Sequence, residues 1–265
     1  MTVVSWNVSE KKATLDDIEA LIRDVNISHG FVVCLQEVPK DLFPELLEYA
    51  KLHGFEVSHG IDKVRMREDG STRDCYLVVL SQLPIVHSSP WHLSRTSHRP
   101  LIARVAIWML RRLGKWDDTA IVSSGLRIEV DVGNEKPVRI LVAHLSLTNP
   151  RNRQREFMTA TNRVSRLWPT IICGDFNILE GTYGRAVNFL IGGSIPYALW
   201  RSERNEFDAR LSELKLSNPL AGQETRKGGQ LDHIVHTAGL DCIDAKLLPA
   251  YGSDHHAIMT TLERI

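Results

Sequence analysis

Apolar residues that alternate with polar ones, or that run for a few positions and stop at a polar residue, predict most of the strands in this chain. Spacings of three and four residues between apolar positions predict helices instead, and the first of these helices has Thr14 as a candidate N-cap. The predicted strands are TVVSWNV, FVVCLQEV, FEVSHG, CYLVVLS, LIARVAIWML, GLRIEVDV, VRILVAHLSL, PTIICGDFNIL, QLDHIVHT, LDCIDAKLLP and HHAIMTTLE. The predicted helices are ATLDDIEALIRDV, PKDLFPELLEYAKLHG, NPRNRQREFMTATNRVSRLW and GRAVNFLIG.

Three stretches interrupt this pattern. IDKVRMREDGSTRD is expected to form a polar loop, RSERNEFDARLSEL a polar surface segment, and RRLGKWDDTAIVSS an insertion. Several predicted strands follow one another without a helix between them, which favours two packed, largely antiparallel or mixed sheets flanked by helices. The sequence has no internal repeat and no break in composition, so we expect an α/β fold in a single domain over residues 1–265.

Composition narrows the function classes. Lys plus Arg and Asp plus Glu each number 32, so the formal net charge is zero and a broad basic surface for nucleic acid is not expected. The four cysteines show no CxxC spacing, which disfavours a zinc site and a disulfide framework and favours a reducing compartment. The N-terminus lacks a signal-peptide pattern, and no apolar run has membrane-spanning length. We therefore expect a cytoplasmic monomer.

Polar residues follow several of the apolar strands at the point where each strand ends. Asn7, Glu37 and His144 each share a strand face with the residues two and four positions before them, and Asp175 and Asn177 follow the run TIIC on one face. Each residue alone has an ordinary reading, as a turn former, a helix cap or a core histidine. Their repetition favours one shared site. Further candidates of this kind are Asp232, Asp254 and His255, which come at the start of the last strands.

The ordered set SWN, LQEV, AHLSL, GDFN, LDHI and SDHHA resembles the endonuclease/exonuclease/phosphatase superfamily, which includes DNase I-like and exonuclease III-like enzymes. The resemblance extends from Asn7 to His255. It implies a four-layer α/β sandwich, with two central sheets flanked by helices and the active site at one rim of the sheets. It also implies hydrolysis of a phosphoester by in-line attack of water.

The chemistry of a phosphodiester, which is anionic, calls for a hard divalent cation held by oxygen ligands. The resemblance implies that Glu37 and Asn7 bind Mg²⁺ (or Mn²⁺) and that Asp254 completes the metal site. Many nucleases of this group carry an acidic residue two positions after the asparagine, where this chain has Ser9. That difference favours one metal ion over two.

The remaining residues are expected to act on the substrate. Asp175 would orient or deprotonate the attacking water, and Asn177 would donate a hydrogen bond to a phosphate oxygen. His255 would face the phosphoryl group, with its ring held by Asp232. The resemblance implies that His144 helps to protonate the leaving oxygen or binds phosphate. All five residues are expected to be catalytic.

The histidines next to two of these residues, His233 and His256, are expected to point away from the site, because neighbouring strand residues alternate.

The substrate is less clearly indicated than the reaction. Arg73, Arg151 and Arg155 could bind its phosphates, although solvated surface arginines are an equally good reading. Three functions remain open: a phosphodiesterase for nucleic acid (DNA or RNA) or a nucleotide-linked ester, an enzyme for a small head group such as an inositol phosphate or phospholipid, and an inactive phosphoester-binding scaffold. Retention of both an acid–base set and a metal ligand speaks against the scaffold.

Overall fold

A computed structural model describes residues 1–10, 12, 14–25, 30–67, 72–93, 101–112, 118–133, 136–147, 150–164, 168–190, 195–227 and 229–265. The strands among them are β1 (Thr2–Asn7), β2 (Phe31–Pro39), β3 (Glu56–Arg67), β4 (Thr72–Ser81), β5 (Ile85–His92), β6 (Asp118–Val130), β7 (Val138–Ala143), β8 (Thr170–Asp175), β9 (Leu216–Ser217), β10 (Asp232–Thr237), β11 (Leu240–Leu247) and β12 (Ile258–Arg264). The helices are α1 (Leu15–Val25), α2 (Phe43–Leu52), α3 (Leu101–Arg112), α4 (Pro150–Thr161), α5 (Gly181–Leu190), α6 (Ile195–Leu199) and α7 (Glu203–Leu214).

The strands form two mixed six-stranded sheets. The first has the order β11-β12-β1-β2-β4-β3, and the second has β6-β7-β8-β10-β9 with β5 on the other side of β6. Strands β1 and β2 are parallel, as are β7 and β8, and the other pairs are antiparallel. The long strand β6 joins the two sheets, because its first half pairs with β3 and its second half with β5 and β7.

Three apolar clusters give the molecule four layers. The central cluster lies between the sheets, where residues such as Val32 and Leu77 of the first sheet meet Ile140 and Cys173 of the second. A second cluster joins the other face of the first sheet to α1 and α2, and a third joins the other face of the second sheet to α4 and α7. The order helices, sheet, sheet, helices is the four-layer α/β sandwich that the sequence predicts.

Local signals place the first helices as expected. Thr14 and Asp17 cap α1 reciprocally: the Thr14 hydroxyl accepts from the Asp17 N–H at 3.3 Å, and the Asp17 carboxylate accepts from the Thr14 N–H at 3.2 Å. Beyond α2, Gly54 has a φ of 72° and leads the chain into β3. No helix among the described residues is long and apolar enough to span a bilayer.

The prediction of a strand for LIARVAIWML is wrong, because these residues form α3. A short apolar run does not by itself distinguish a strand from a helix. The exposed apolar residues Leu101, Val105, Trp108 and Met109 recur at helical spacing, and Ala103 on the opposite face is buried. A strand would have placed these large side chains on both faces.

Two polar stretches also differ from their predictions. Most of IDKVRMREDGSTRD belongs to β3 and β4, which form a long hairpin, and residues 68–71 between them lie outside the described part of the chain. RSERNEFDARLSEL is mainly α7, in which Phe207 and Leu211 are buried. The stretch RRLGKWDDTAIVSS, predicted to be an insertion, contains the end of α3 and the start of β6, and its residues 113–117 are not described. Their polar composition favoured loops over helices and strands at the level of sequence.

Candidate active site

The topology brings the polar strand ends to one rim. Strand β1 ends at Asn7, which pairs with Gln36, the residue before Glu37 in the parallel strand β2. The parallel strands β7 and β8 end before His144 and at Asp175. An antiparallel neighbour begins where its partner ends, so β10 starts with Asp232 opposite Asp175. Strand β12 is likewise antiparallel to β1 and begins near the end of β1, and His255 lies just before β12.

The carboxylate of Asp175 lies at the centre of these residues and is 2% exposed. Its Oδ2 accepts a hydrogen bond of 3.0 Å from Asn7 Nδ2 and lies 3.4 Å from His144 Nε2 and 3.9 Å from His255 Nε2. Glu37 Oε1 approaches the same His144 nitrogen at 3.8 Å. Residues far apart in the sequence therefore converge on one cluster.

His255 and Asp232 form a buried pair in which His255 Nδ1 donates to Asp232 Oδ2 at 2.8 Å. Burial lowers the pKa of His255, but the charge and hydrogen bond of Asp232, with a contribution from Asp175, raise it to about 9. Burial raises the pKa of Asp232, and the His255 charge opposes that shift. His255 is therefore a cation at neutral pH, held by a carboxylate.

Replacing Asp232 with Asn should lower the pKa of His255 below 6.5, because burial would then act without the Asp232 charge. In the wild type the raised pKa makes a stabilising contribution that is complete below pH 6.5 and is lost as the pH rises through about 9. The variant should lack that alkaline loss of unfolding free energy. NMR titration of the metal-free protein measures the pKa, and Asp244→Asn on β11 is the control. An unchanged His255 titration in Asp232→Asn would refute the assignment.

A second histidine–carboxylate pair, which sequence reasoning missed, lies on the other side of Asp175. His144 Nδ1 donates to Asp62 Oδ2 at 2.9 Å, and the ammonium of Lys63 lies 2.6 Å from His144 Nε2 and 3.4 Å from Glu37 Oε1. Burial raises the pKa of Asp62, but His144 and Lys63 outweigh it and hold this pKa below its usual value. His144 thus contacts an anion through one nitrogen and a cation through the other.

Irregularities in β2 and β3 make these contacts possible. Neighbouring strand residues normally face opposite ways, yet Asp62 and Lys63 both reach His144, because the register with β4 shifts between Ile61 and Lys63. A second shift in β2 includes Glu37, whose φ is 58° and whose N–H donates to Asp62 at 2.9 Å. Positive φ at a residue other than glycine costs on the order of 1–3 kcal/mol, and such strain concentrates at functional sites.

The GDFN segment is shaped by two special backbone positions. Gly174 has a φ of 134°, and a Cβ there would lie 1.9 Å from the carbonyl oxygen of Ala143, so only glycine fits. Asn177 has a φ of 52°; its N–H donates to Asp175 Oδ1 at 2.9 Å and its side chain to the Leu145 carbonyl at 2.8 Å. Phe176 points the other way into the core, as expected.

The residues predicted to bind a metal occupy two parts of the rim. Glu37, Asn7 and Asp175 offer carboxylate and amide oxygens, the donors that Mg²⁺ and Mn²⁺ prefer, so the described side chains suit a hard cation. Asn7 Oδ1 also accepts from the Ser9 N–H at 3.0 Å. Asp254 instead forms an ion pair with Arg226.

A metal-competent group of side chains lies beside these residues: oxygen or nitrogen atoms of Asp175, Asp232 and His255 come within 4.8 Å of one another. In this group the Asp232 carboxylate already accepts the hydrogen bond from His255 Nδ1.

The other predicted residues lie around this cluster. Arg151 and Arg155 are exposed on α4, one turn apart, and the Arg73 side chain lies outside the described part of the chain. His256 is exposed and lies 3.0 Å from the carbonyl of Leu248, and His233 is buried against Phe176, with a pKa lowered mainly by burial. Neither of these two histidines takes part in the cluster, as expected.

Sequence reasoning did not identify Asp62, Lys63 and Arg226. The charged pair within IDKV was the available signal for Asp62 and Lys63. A charged residue at a strand position whose side chain points into the protein is a candidate for a functional site, because a buried charge needs a partner.

The family model described as "Endonuclease/Exonuclease/phosphatase family" matches residues 4–255. A crystal structure of an endonuclease/exonuclease/phosphatase from Beutenbergia cavernae aligns with a TM-score of 0.71 at 18% identity, covering 100% of this chain and 71% of that chain. ANGEL2, a 2',3'-cyclic phosphatase in complex with adenosine-2',3'-vanadate, aligns with a TM-score of 0.62 at 15% identity, covering 98% of this chain and 94% of that chain. An AP endonuclease from Archaeoglobus fulgidus aligns with a TM-score of 0.62 at 12% identity, covering 99% of both chains. No curated protein shows significant sequence similarity.

Proposed function

Because this chain belongs to the endonuclease/exonuclease/phosphatase family, whose members are generally hydrolases of phosphoester bonds, we propose that it hydrolyses a phosphodiester with a divalent metal ion. The proposed substrate is nucleic acid or a nucleotide-linked ester. Structural relatives that act on phosphoesters of nucleotides or nucleic acid, by their descriptions a cyclic phosphatase and an AP endonuclease, support this choice.

One observation carries the proposal: the central carboxylate of Asp175 lies between two histidines, each held by its own carboxylate. His144 Nε2 is 3.4 Å away and His255 Nε2 is 3.9 Å away, and their partners are Asp62 and Asp232. A binding scaffold has no need for a buried acid–base set of this kind. A hydrolase does, because water must lose a proton and the leaving oxygen must gain one.

In the proposed reaction, Asp175 orients the attacking water and accepts its proton. The cationic His255, held by Asp232, stabilises the negative charge that develops on the phosphoryl oxygens. Asn177 supplies a further hydrogen bond to a phosphate oxygen. The His144 and Lys63 side of the cluster binds the leaving oxygen and returns a proton to it. Water attacks phosphorus in line with the leaving oxygen, and no covalent enzyme intermediate forms.

Glu37 and Asn7 are the proposed holders of the Mg²⁺ or Mn²⁺ ion, with Asp254 as the third predicted ligand. When bound there, the ion would supply polarisation of the phosphoryl oxygens and neutralisation of part of their charge. Ser9 stands where related nucleases have an acidic residue, and the Lys63 ammonium already lies beside Glu37, so one metal ion is the favoured number.

A substrate panel tests this function. Purified protein is assayed with Mg²⁺, Mn²⁺ or EDTA on bis-p-nitrophenyl phosphate, single- and double-stranded DNA, RNA, 5′-phosphotyrosyl DNA and inositol phosphates. We expect metal-dependent hydrolysis of diesters and a preference for nucleotide-linked ones. A strong salt dependence on polymers would support nucleic acid as the substrate. Turnover of inositol phosphates alone would exclude nucleic acid as the substrate. No turnover of any of these esters would refute the proposed enzymatic function.

Substituting Glu37 with Gln should raise the metal concentration that gives half-maximal activity, because a neutral amide replaces a charged oxygen ligand. We expect an increase of at least about tenfold, since loss of even an outer-shell partner typically costs 10- to 100-fold in metal affinity. Metal titration of the hydrolysis rate measures it, with Glu45→Gln on the exposed side of α2 as the matched control. Identical titrations for Glu37→Gln and wild type would remove Glu37 from the metal site.

A further inference from the structure

Exposed apolar side chains concentrate on three neighbouring helices that lie outside the active-site cluster. Helix α3 lies beside α5, and α5 beside α6. Of the fourteen large apolar side chains that are exposed among the described residues, nine belong to these helices or to the residue that follows α6. They are Leu101, Val105, Trp108, Met109, Phe189, Leu190, Ile195, Leu199 and Trp200, and we call this group the apolar surface.

Helix α3 carries apolar residues on more than one side, and one row of them faces solvent. Leu101, Val105, Trp108 and Met109 occupy positions i, i+4, i+7 and i+8, which fall on one side of a helix. Trp108 is 56% exposed and Met109 is 53% exposed, whereas Ala103 on the other side is fully buried. A contiguous exposed apolar face of this kind marks a docking surface.

The charges within the apolar surface are all positive. The sequences of α3, α5 and α6 contain Arg104, Arg111, Arg112 and Arg185 and no Asp or Glu, although the whole chain has zero formal net charge. Arg104, Arg112 and Arg185 are exposed, and the Arg112 guanidinium lies 5.2 Å from the centre of the Trp108 ring. The occupant of this surface must therefore combine an apolar interior with negative charge.

We propose that the apolar surface docks on an anionic lipid bilayer, with α3 lying in the plane of the head groups. Apolar side chains beside arginines, with no acidic residue, are typical of helices that bind in the membrane interface. Tryptophan side chains favour the membrane–water interface. Long arginine side chains reach the lipid phosphates while their aliphatic stems stay among apolar groups. A second copy of this chain fits less well, since a two-fold contact through this face would bring the arginines together.

The position of α5 connects this surface to the site. Helix α5 begins at Gly181, four residues after Asn177, and Gly184 packs against Leu179. The docking itself does not depend on turnover, so its test uses binding alone.

Sedimentation of the full chain with vesicles tests the proposal. We expect binding to mixed phosphatidylcholine–phosphatidylglycerol vesicles, weakening with salt, and little binding to phosphatidylcholine alone. Arg104→Gln and Arg112→Gln should each weaken binding about fivefold, since each basic residue near an anionic surface contributes about 1 kcal/mol. Trp108→Gln should weaken it by at least about tenfold, because its ring is buried in the interface.

Matched controls lie on the other side of the fold. Leu52 and Arg23 are exposed on α2 and α1, and Leu52→Gln and Arg23→Gln should bind vesicles as the wild type does. Circular dichroism checks that each variant is folded. Absence of binding to anionic vesicles, or equal losses in the controls, would overturn the proposal. Self-association that Trp108→Gln abolishes, without vesicle binding, would assign the surface to a second copy instead.

Discussion

Asp175→Asn is expected to reduce turnover by about 10²- to 10⁴-fold, the range that a positioned general base contributes. The amide keeps the shape of the carboxylate and can still accept the hydrogen bond from the Asn177 N–H. It cannot take a proton from water, and it removes the negative charge between His144 and His255. The rate with bis-p-nitrophenyl phosphate at saturating metal measures the loss.

The matched control is Asp241→Asn, the same change at an exposed position of β11. It should leave the rate unchanged. The melting temperature of Asp175→Asn should fall by only a few degrees, because the amide keeps the hydrogen bond from the Asn177 N–H and loses the one from Asn7 Nδ2. A near-normal rate in Asp175→Asn would contradict its role as the base, whatever the rates of the other variants.

His255→Ala is the second variant with a large expected effect. It removes the cation that the proposed reaction places at the phosphoryl group, and loss of one preorganised donor typically costs about 10²- to 10³-fold in kcat. It also leaves the fully buried Asp232 carboxylate without its histidine partner, which lowers stability. His255→Gln keeps a hydrogen-bond donor near Asp232 and separates the two effects: its stability should recover, while its rate should not.

The neighbouring histidine provides the control for this prediction. His256 is exposed and contacts the carbonyl of Leu248, so His256→Ala should retain the wild-type rate. Single-turnover kinetics locate the loss in the chemical step. Equal activity of His255→Ala and wild type, or equal losses in the two alanine variants, would show that His255 has no specific role.

The strand and helix pattern predicted two packed sheets flanked by helices, because several strands follow one another and each must bury an apolar face. The family resemblance implied the four layers and the position of the site at one rim. The chemistry at the strand ends then indicated one site. The structure brings Asn7, His144, Asp175, Asp232 and His255 together, as the sequence analysis expected.

Local irregularity explains what the sequence did not reveal. The sequence pattern predicted a polar loop at Asp62 and Lys63, whereas both lie in β3, where a register shift brings them to His144. Such a shift depends on the partner strand, so no pattern within IDKV could indicate it. Similarly, the apolar content of α3 suggested a buried strand, because the sequence does not say which apolar faces remain in solvent.

The position of Lys63 has a consequence for how the site responds to chelators. Its ammonium, 3.4 Å from Glu37, is covalently attached and cannot be extracted, whereas a metal ion can. With the proposed Mg²⁺ removed, Lys63 would still place a fixed positive charge beside Glu37, in addition to that of His255. We expect the protein without metal to keep part of its affinity for an anionic ester while losing the proposed hydrolysis, so that chelation would give a form that binds substrate without turning it over.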